Sequence, residues 1–304
     1  MKILVVGIVP YDSGKTTIAR ELAKRLSSRG YNVGVAKPVA GHSLWYQNDT
    51  LRYTLEGGVL VGHDVIELRK SIDSSDPLEK INPFDIATMP HDIIRDGRID
   101  HMSIERLIHS TTIDSAVIVR ISSCNDTSKD VSSQHYLIKE NYMSLANVVR
   151  ELIDLLVDRL NPKPRMIPTK DLVRLLYEGV MATDKCLSEL IKEHEILIIE
   201  SFNDSGAPNM KSLDSDLVVA VSPGRVLLYR GVEYRKAFKI YYSSPFYSSS
   251  LYEKWPTTRE IIRYLKPIET LEIPHKEFKE RFEMALETLT HSILERSEEL
   301  HAIG

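Results

Sequence analysis

Gly14-Lys15-Thr16 stands where an apolar run, VVGIV at residues 5–9, gives way to helical spacing at Ile18, Leu22 and Leu26. Glycine, lysine and a hydroxyl between a strand and a helix can do phosphate chemistry. Backbone N–H groups of the turn point at the anion, the lysine reaches the outer phosphates, and the hydroxyl offers an oxygen to Mg²⁺. The usual spacing, G-x-x-x-x-G-K-[ST], asks for a glycine at position 9. That position is Val9, and the nearest glycine, Gly7, comes two residues too early. A cation in the first turn of a helix opposes the dipole unless an anion compensates it, so Lys15 is read as a phosphate ligand. Asp12, Ser13, Gly14, Lys15, Thr16 and Thr17 are the expected nucleotide-binding residues, with Thr16 also a Mg²⁺ ligand. A capped strand-to-helix turn carrying G-K-T by chance is the bland alternative.

Three further side chains join this set. Lys37, ahead of Pro38, closes a second strand at 32–37, where residues of a parallel sheet face the ligand crevice. Glu200 ends the apolar strand EILIIE at 195–200, and a charge in that position needs a partner. Asp49 lies in Gln47-Asn48-Asp49-Thr50 and reads either as a metal ligand or as a helix cap. His42 and His91 are read as polar loop residues before they are read as ligands.

The elements that must position these residues follow from periodicity. Strands are expected at 2–9, 32–37, 114–122, 195–200 and 216–222, and helices at 15–29, 142–160, 168–180 and 183–193. This rhythm predicts an α/β fold, a parallel β-sheet with helices on both faces. Residues 241–256 read as a Ser/Tyr/Pro-rich loop. A terminal helix over 276–302 carries the stripe Phe278, Phe282, Ala285, Leu289 and Ile293, for core packing or a homodimer contact.

At 304 residues the chain can bury a large core, and a net charge of −4 provides no broad cationic field for nucleic acid or an anionic membrane. No apolar run reaches the roughly 20 residues of a membrane-spanning helix. MKILVVGIVP is expected to be a first strand and not a signal. Cys124 and Cys186 lie far apart without metal-ligand spacing, implying neither a metal cluster nor a disulfide framework. A reducing cytoplasm is the expected location.

The order Gly14-Lys15-Thr16, Lys37-Pro38-Val39, Asn48-Asp49, Asn82-Pro83-Phe84, Pro90-His91 and Gly97-Arg98 resembles dethiobiotin synthetase and the cobyrinic acid a,c-diamide synthase-like P-loop NTPases. The likeness covers roughly residues 3–100 and resumes at Ile196-Leu197-Ile198-Ile199-Glu200. It implies a P-loop nucleotide-binding domain over 1–230, with an insertion at about 101–165, and a C-terminal helical extension over 231–304. It implies ATP and Mg²⁺ as cofactors, with Thr16, Asp49 and Glu200 holding the metal and Lys15 and Lys37 as the catalytic cations. The expected activity is an ATP-dependent ligase or synthetase acting on a small carboxylate, carbamate or amine. Two departures stand out: Ser201-Phe202-Asn203-Asp204-Ser205-Gly206 replaces the family's glycine-rich run, and no N-K-x-D element selects guanine. The alternatives are a nucleotide-driven switch or metal-delivery ATPase or GTPase, opposed by Pro10 where partitioning ATPases carry a lysine, and a polynucleotide kinase, opposed by the lack of a basic stripe.

Overall fold

A computed structural model describes residues 1–109, 114–124, 131–243 and 255–303. Among these the strands are β1 (Lys2–Gly7), β2 (Val33–Ala36), β3 (Val39–Ser43), β4 (Phe84–Thr88), β5 (Ile94–Arg95), β6 (Arg98–Ile99), β7 (Ala116–Cys124), β8 (Val131–Ile138), β9 (Arg165–Ile167), β10 (Ile196–Glu200), β11 (Leu217–Ser222), β12 (Arg225–Arg230) and β13 (Glu269–Glu272). Two compact units emerge. One comprises Met1–Pro38, Glu67–Asp76 and Leu187–Gly304; the other comprises Val39–Ile66 and Pro77–Cys186. The 231–304 stretch thus belongs to the first unit and the 101–165 stretch to the second.

The first unit is built on a sheet of order β13-β12-β11-β1-β10-β2. Its β11-β1-β10-β2 part is parallel, and β12 and β13 add an antiparallel edge. The central strands read as unbroken apolar runs because both of their faces are covered. Leu4, Val6, Leu197, Ile199, Val218 and Ala220 share one core with Tyr234 and Phe238 of the helix Gly231–Tyr242. The alternate residues Ile3, Val5, Ile198 and Val219 are equally buried and point to the other face. There α1 (Lys15–Ser28) packs with Ile18, Leu22 and Leu26 inward. The chain leaves β1 toward β2 on one side and later places β11 on the other. β1 is therefore a switch point, beyond whose carboxyl end open α/β sheets bind ligands.

The terminal helix Lys279–Ile303 lies against α1, joined by an ion pair between Arg25 and Glu287 at 3.1 Å. Phe282, Leu286, Leu289 and Ile293 are buried in this packing, so the stripe serves the core of its own chain. Phe278, expected on it, precedes the helix and is 57% exposed.

The second unit departs from the expected parallel sheet. Its five strands run β3-β4-β7-β8-β9, with β4-β7 and β7-β8 antiparallel. β8, half of whose residues (VSSQHYLI) are Ser, Gln or His, pairs with residues 118–124 of β7. The helices expected at 168–180 and 183–193 are one, Leu172–Glu193. Within it Gly179 lets Phe84 approach so closely that a Cβ would stand 2.6 Å from the ring. Of the loop expected at 241–256, residues 244–254 lie outside the described residues.

A guanidinium is buried in this unit among hydrogen-bond acceptors. Arg120, fully buried in mid-strand, donates to Leu60 O (2.8 Å), Ser122 Oγ (2.6 Å), and Asn82 O and Oδ1 (2.7 and 2.9 Å). Burial lowers its pKa, and the Asp85 and Glu79 carboxylates work against that. Across β7-β8, His135 faces Arg120 in register. Its Nδ1 donates to Pro162 O at 2.9 Å, and burial pushes its pKa down to about 4.

Cys124 and Cys186 form a disulfide within the second unit, with Cα atoms 5.1 Å apart. This overturns the reading of two unlinked cysteines, since folding joins the end of β7 to the long helix across 62 residues of sequence. Cysteine usage consequently gives no support to a reducing compartment. No helix among the described residues is long and apolar enough to cross a membrane.

Two predictions follow from this packing. An unfolded histidine binds a proton near pH 6.5, whereas folded His135 stays neutral down to about pH 4. Its contribution to stability, about 3 kcal/mol, is therefore complete above pH 6.5 and lost as pH falls through 4. In urea titrations His135→Gln flattens this slope; an unchanged slope refutes the assignment. Replacing both cysteines by alanine removes a 62-residue cross-link and lowers the unfolding free energy by about 4 kcal/mol. Differential scanning calorimetry checks it, and an unchanged melting temperature refutes it.

Candidate functional site

β1 ends at Gly7 and the chain enters α1 at Lys15, so residues 8–14 form a turn at the carboxyl edge of the first sheet. Asp12 (φ 50°) and Gly14 (φ 89°) both take left-handed backbone conformations, which fold the segment back toward its start. A Cβ on Gly7 would meet Ser13 Oγ at 2.8 Å, the Asn203 carbonyl at 2.9 Å and the Val9 carbonyl at 3.1 Å. Only hydrogen fits. This close approach is made by Gly7, two residues before position 9.

α1 opens with no side-chain cap and no acidic residue in its first turn. The amides of its first turn have no acceptor within the helix. They carry the partial positive charge of the helix dipole. The Ser13 side chain is buried beside them, and its Oγ has no hydrogen-bond partner among the described residues. Amides without helical acceptors and a buried hydroxyl suit a bound oxyanion. Lys15 and Thr17 are half-buried, and Asp12 is exposed.

Behind the turn lies an ion pair. Thr16 Oγ1 donates to Glu200 Oε1 at 2.6 Å, and Lys37 Nζ donates to the same oxygen at 2.9 Å. Register explains the meeting: Val5 pairs with Glu200 and Ala36 with Ile199, so β1, β10 and β2 end in one row. The Glu200 side chain is 0% exposed and that of Lys37 4%. The structure thus brings together Thr16, Lys37 and Glu200 beside the loop Asp12–Thr17.

Asp49 lies in the second unit, in the first turn of the helix Asn48–Gly57, where its carboxylate pairs with His63. Burial raises its pKa, but the hydrogen bond and charge of His63 outweigh this and hold the group below the usual carboxylate value. Gln47, not Asp49, stands at the helix cap. His42 Nδ1 lies 3.1 Å from Asp85 Oδ1 inside the second sheet, and His91 Nε2 donates to the Asp114 carbonyl at 2.8 Å. Both rings tie segments of this unit together, and the buried His42 Nε2 has no hydrogen-bond partner among the described residues.

The departure after Glu200 is an ordered turn. Ser201 Oγ donates to Ser205 O (2.6 Å), Tyr234 OH to Gly206 O (2.9 Å) and Trp255 Nε1 to Ala207 O (2.6 Å). Asn203, in the left-handed region at φ 44°, presents its carbonyl against Gly7. Gly7 was set aside as two residues too early and lay inside the strand expected at 2–9, which ends at Gly7; nothing in the sequence marks Asn203. Ser222-Pro223-Gly224 lies at the tight connection of the β11-β12 hairpin.

The chain matches no family model and no curated protein.

Gly7→Ala is expected to destabilise the protein by about 1–3 kcal/mol through overpacking against backbone. Adding Val9→Gly to it, which restores the usual spacing, brings no recovery in urea titration; full recovery would refute the role of Gly7. Lys37→Met leaves a buried carboxylate without its ammonium and costs about 3–5 kcal/mol. With Glu200→Gln added, the double variant loses less than the two single losses summed, whereas strict additivity refutes the coupling.

Proposed function

We propose that the protein is a P-loop enzyme that binds MgATP on the turn Gly7–Thr17. As an ATP-dependent ligase or synthetase it transfers the terminal phosphoryl group to a small carboxylate or carbamate, leaving ADP, and an amine or similar nucleophile then displaces phosphate as the new bond forms. The observation that carries the reading is the convergence of Thr16 and Lys37 on one oxygen of Glu200 behind an uncapped helix terminus. The resemblance to dethiobiotin synthetase supports the acceptor class and the choice of ATP over GTP.

The donor set fits Mg²⁺. A hydroxyl and a carboxylate 2.6 Å apart are hard oxygen ligands, and this ion takes few protein oxygens, completing its shell with water and substrate phosphates. Thr16 and Glu200 would hold it. Asp49, the third expected ligand, enters as a proposal alone. Bound there, Mg²⁺ supplies neutralising charge to the phosphate oxygens.

The chain's own residues do the rest by placement. Amides of Ser13–Thr17 donate to the phosphate oxygens, and the buried Ser13 hydroxyl adds a further donor. Lys15 draws off charge from the outer phosphates. Lys37 stands at the strand end with its ammonium already desolvated, so it stabilises negative charge on the group in transfer without reorganisation. Phosphoryl transfer leaves little covalent work to the protein, and positioning with charge neutralisation suffices. The proposed setting is an enzyme working on a small molecule, alone or as a homodimer.

Phosphate release is measured with MgATP alone, then with pools of small carboxylates and diamines plus bicarbonate. One compound is expected to stimulate release at least about 10-fold, and Lys15→Ala to abolish it. Lys37→Ala is expected to lower the stimulated rate about 100-fold while nucleotide still binds. Wild-type release in Lys37→Ala, or stimulation by no small molecule, contradicts the synthetase and favours the switch.

A further inference from the structure

Asp76, Glu193 and His194 form a second cluster in the first unit, apart from the phosphate-binding turn. One ligating atom from each lies within 4.8 Å of the others. Glu193 ends the helix Leu172–Glu193, His194 lies two residues before β10, and Asn32 immediately precedes β2. The cluster therefore sits at the amino ends of the strands whose carboxyl ends carry Glu200 and Lys37. Six residues of extended chain, roughly 20 Å, separate His194 from Glu200.

The proton inventory makes the cluster unusual. Asn32 Nδ2 donates to the Glu193 carbonyl at 2.9 Å, which fixes the amide orientation and turns Oδ1 toward the ring of His194. His194 Nδ1, 3.0 Å from that oxygen, must carry a hydrogen. In the neutral ring Nε2 is then a lone-pair acceptor, yet it faces Asp76 Oδ2 at 3.1 Å. Two acceptors at that distance need a cation between them, either a second proton on the ring or a metal ion. Asp76 Oδ2 is also held by Ser74 Oγ at 2.9 Å, and the Glu193 carboxylate completes the group from the exposed side.

The ring is seated for this purpose by the sheet. A Cβ on Gly34 of β2 would fall 2.3 Å from the imidazole, so the bare glycine lets His194 lie against the strand. An imidazole oriented through its other nitrogen, with two carboxylates, is the donor set of Zn²⁺ and its neighbours in the first transition row. We infer that Asp76, Glu193 and His194 bind one Zn²⁺-class ion, which ties the end of the helix Leu172–Glu193 to the Glu67–Asp76 segment. Its place at the amino ends of the strands gives it a structural role independent of phosphate chemistry.

The full chain, freed of metal with EDTA and dialysed to pH 8, is titrated with Zn²⁺ alone by calorimetry. One tight equivalent is expected, lost in His194→Ala. Glu193→Gln, an exposed change that leaves the core intact, weakens it at least 10-fold, and Asn32→Ala weakens it 10- to 100-fold. No tight equivalent in the wild type, or one that Glu193→Gln and His194→Ala both retain, overturns the site and leaves an imidazolium–carboxylate pair.

Discussion

The structure turns on one buried carboxylate. Glu200 lies at the end of a strand covered on both faces, where an uncompensated charge would cost several kcal/mol. Thr16 and Lys37 meet it on the same oxygen. Those two side chains come from the elements on either side of the strand order, α1 behind β1 and the end of β2. Satisfying Glu200 therefore fixes the start of α1, the turn before it and the strand ends relative to one another. Buried ion pairs are weak contributors to net stability; what this one provides is a defined arrangement at the sheet's carboxyl edge.

The turn takes its shape from backbone constraints, not from a sequence pattern. Gly7 is needed for close approach, while Asp12 and Gly14 are needed for left-handed geometry. The ordered turn Ser201–Gly206 closes over Gly7 through the Asn203 carbonyl. The second unit follows a different logic, hydrogen-bonding a buried guanidinium to carbonyls and side-chain oxygens on neighbouring segments and adding a covalent link from β7 to the long helix.

The parts legible in the sequence were those with one dominant physical signal. β1, β10 and β11 were visible because strands buried on both faces are uniformly apolar. α1 was visible because Ile18, Leu22 and Leu26 recur at helical spacing. Glu200 and Lys37 were legible as charges at the ends of such strands, and their meeting required only the register. β8 was hidden because a strand with Ser132, Ser133, Gln134 and His135 carries no apolar run, its polar residues being satisfied across the sheet. The Cys124–Cys186 bond was hidden because spacing in sequence says nothing about which strand end reaches which helix. The role of Asp49 as a metal ligand came from resemblance, and within its own unit its carboxylate is engaged by His63.

The central claim is that the amides between Gly7 and Thr17 hold a polyphosphate in front of Thr16 and Glu200. Calorimetric titration of the folded chain with ATP, with and without Mg²⁺, tests it most directly. The account predicts one saturable site that tightens with Mg²⁺, and loss of that metal dependence in Thr16→Val. An intact protein that gives no binding heat with ATP or GTP in magnesium buffer contradicts it.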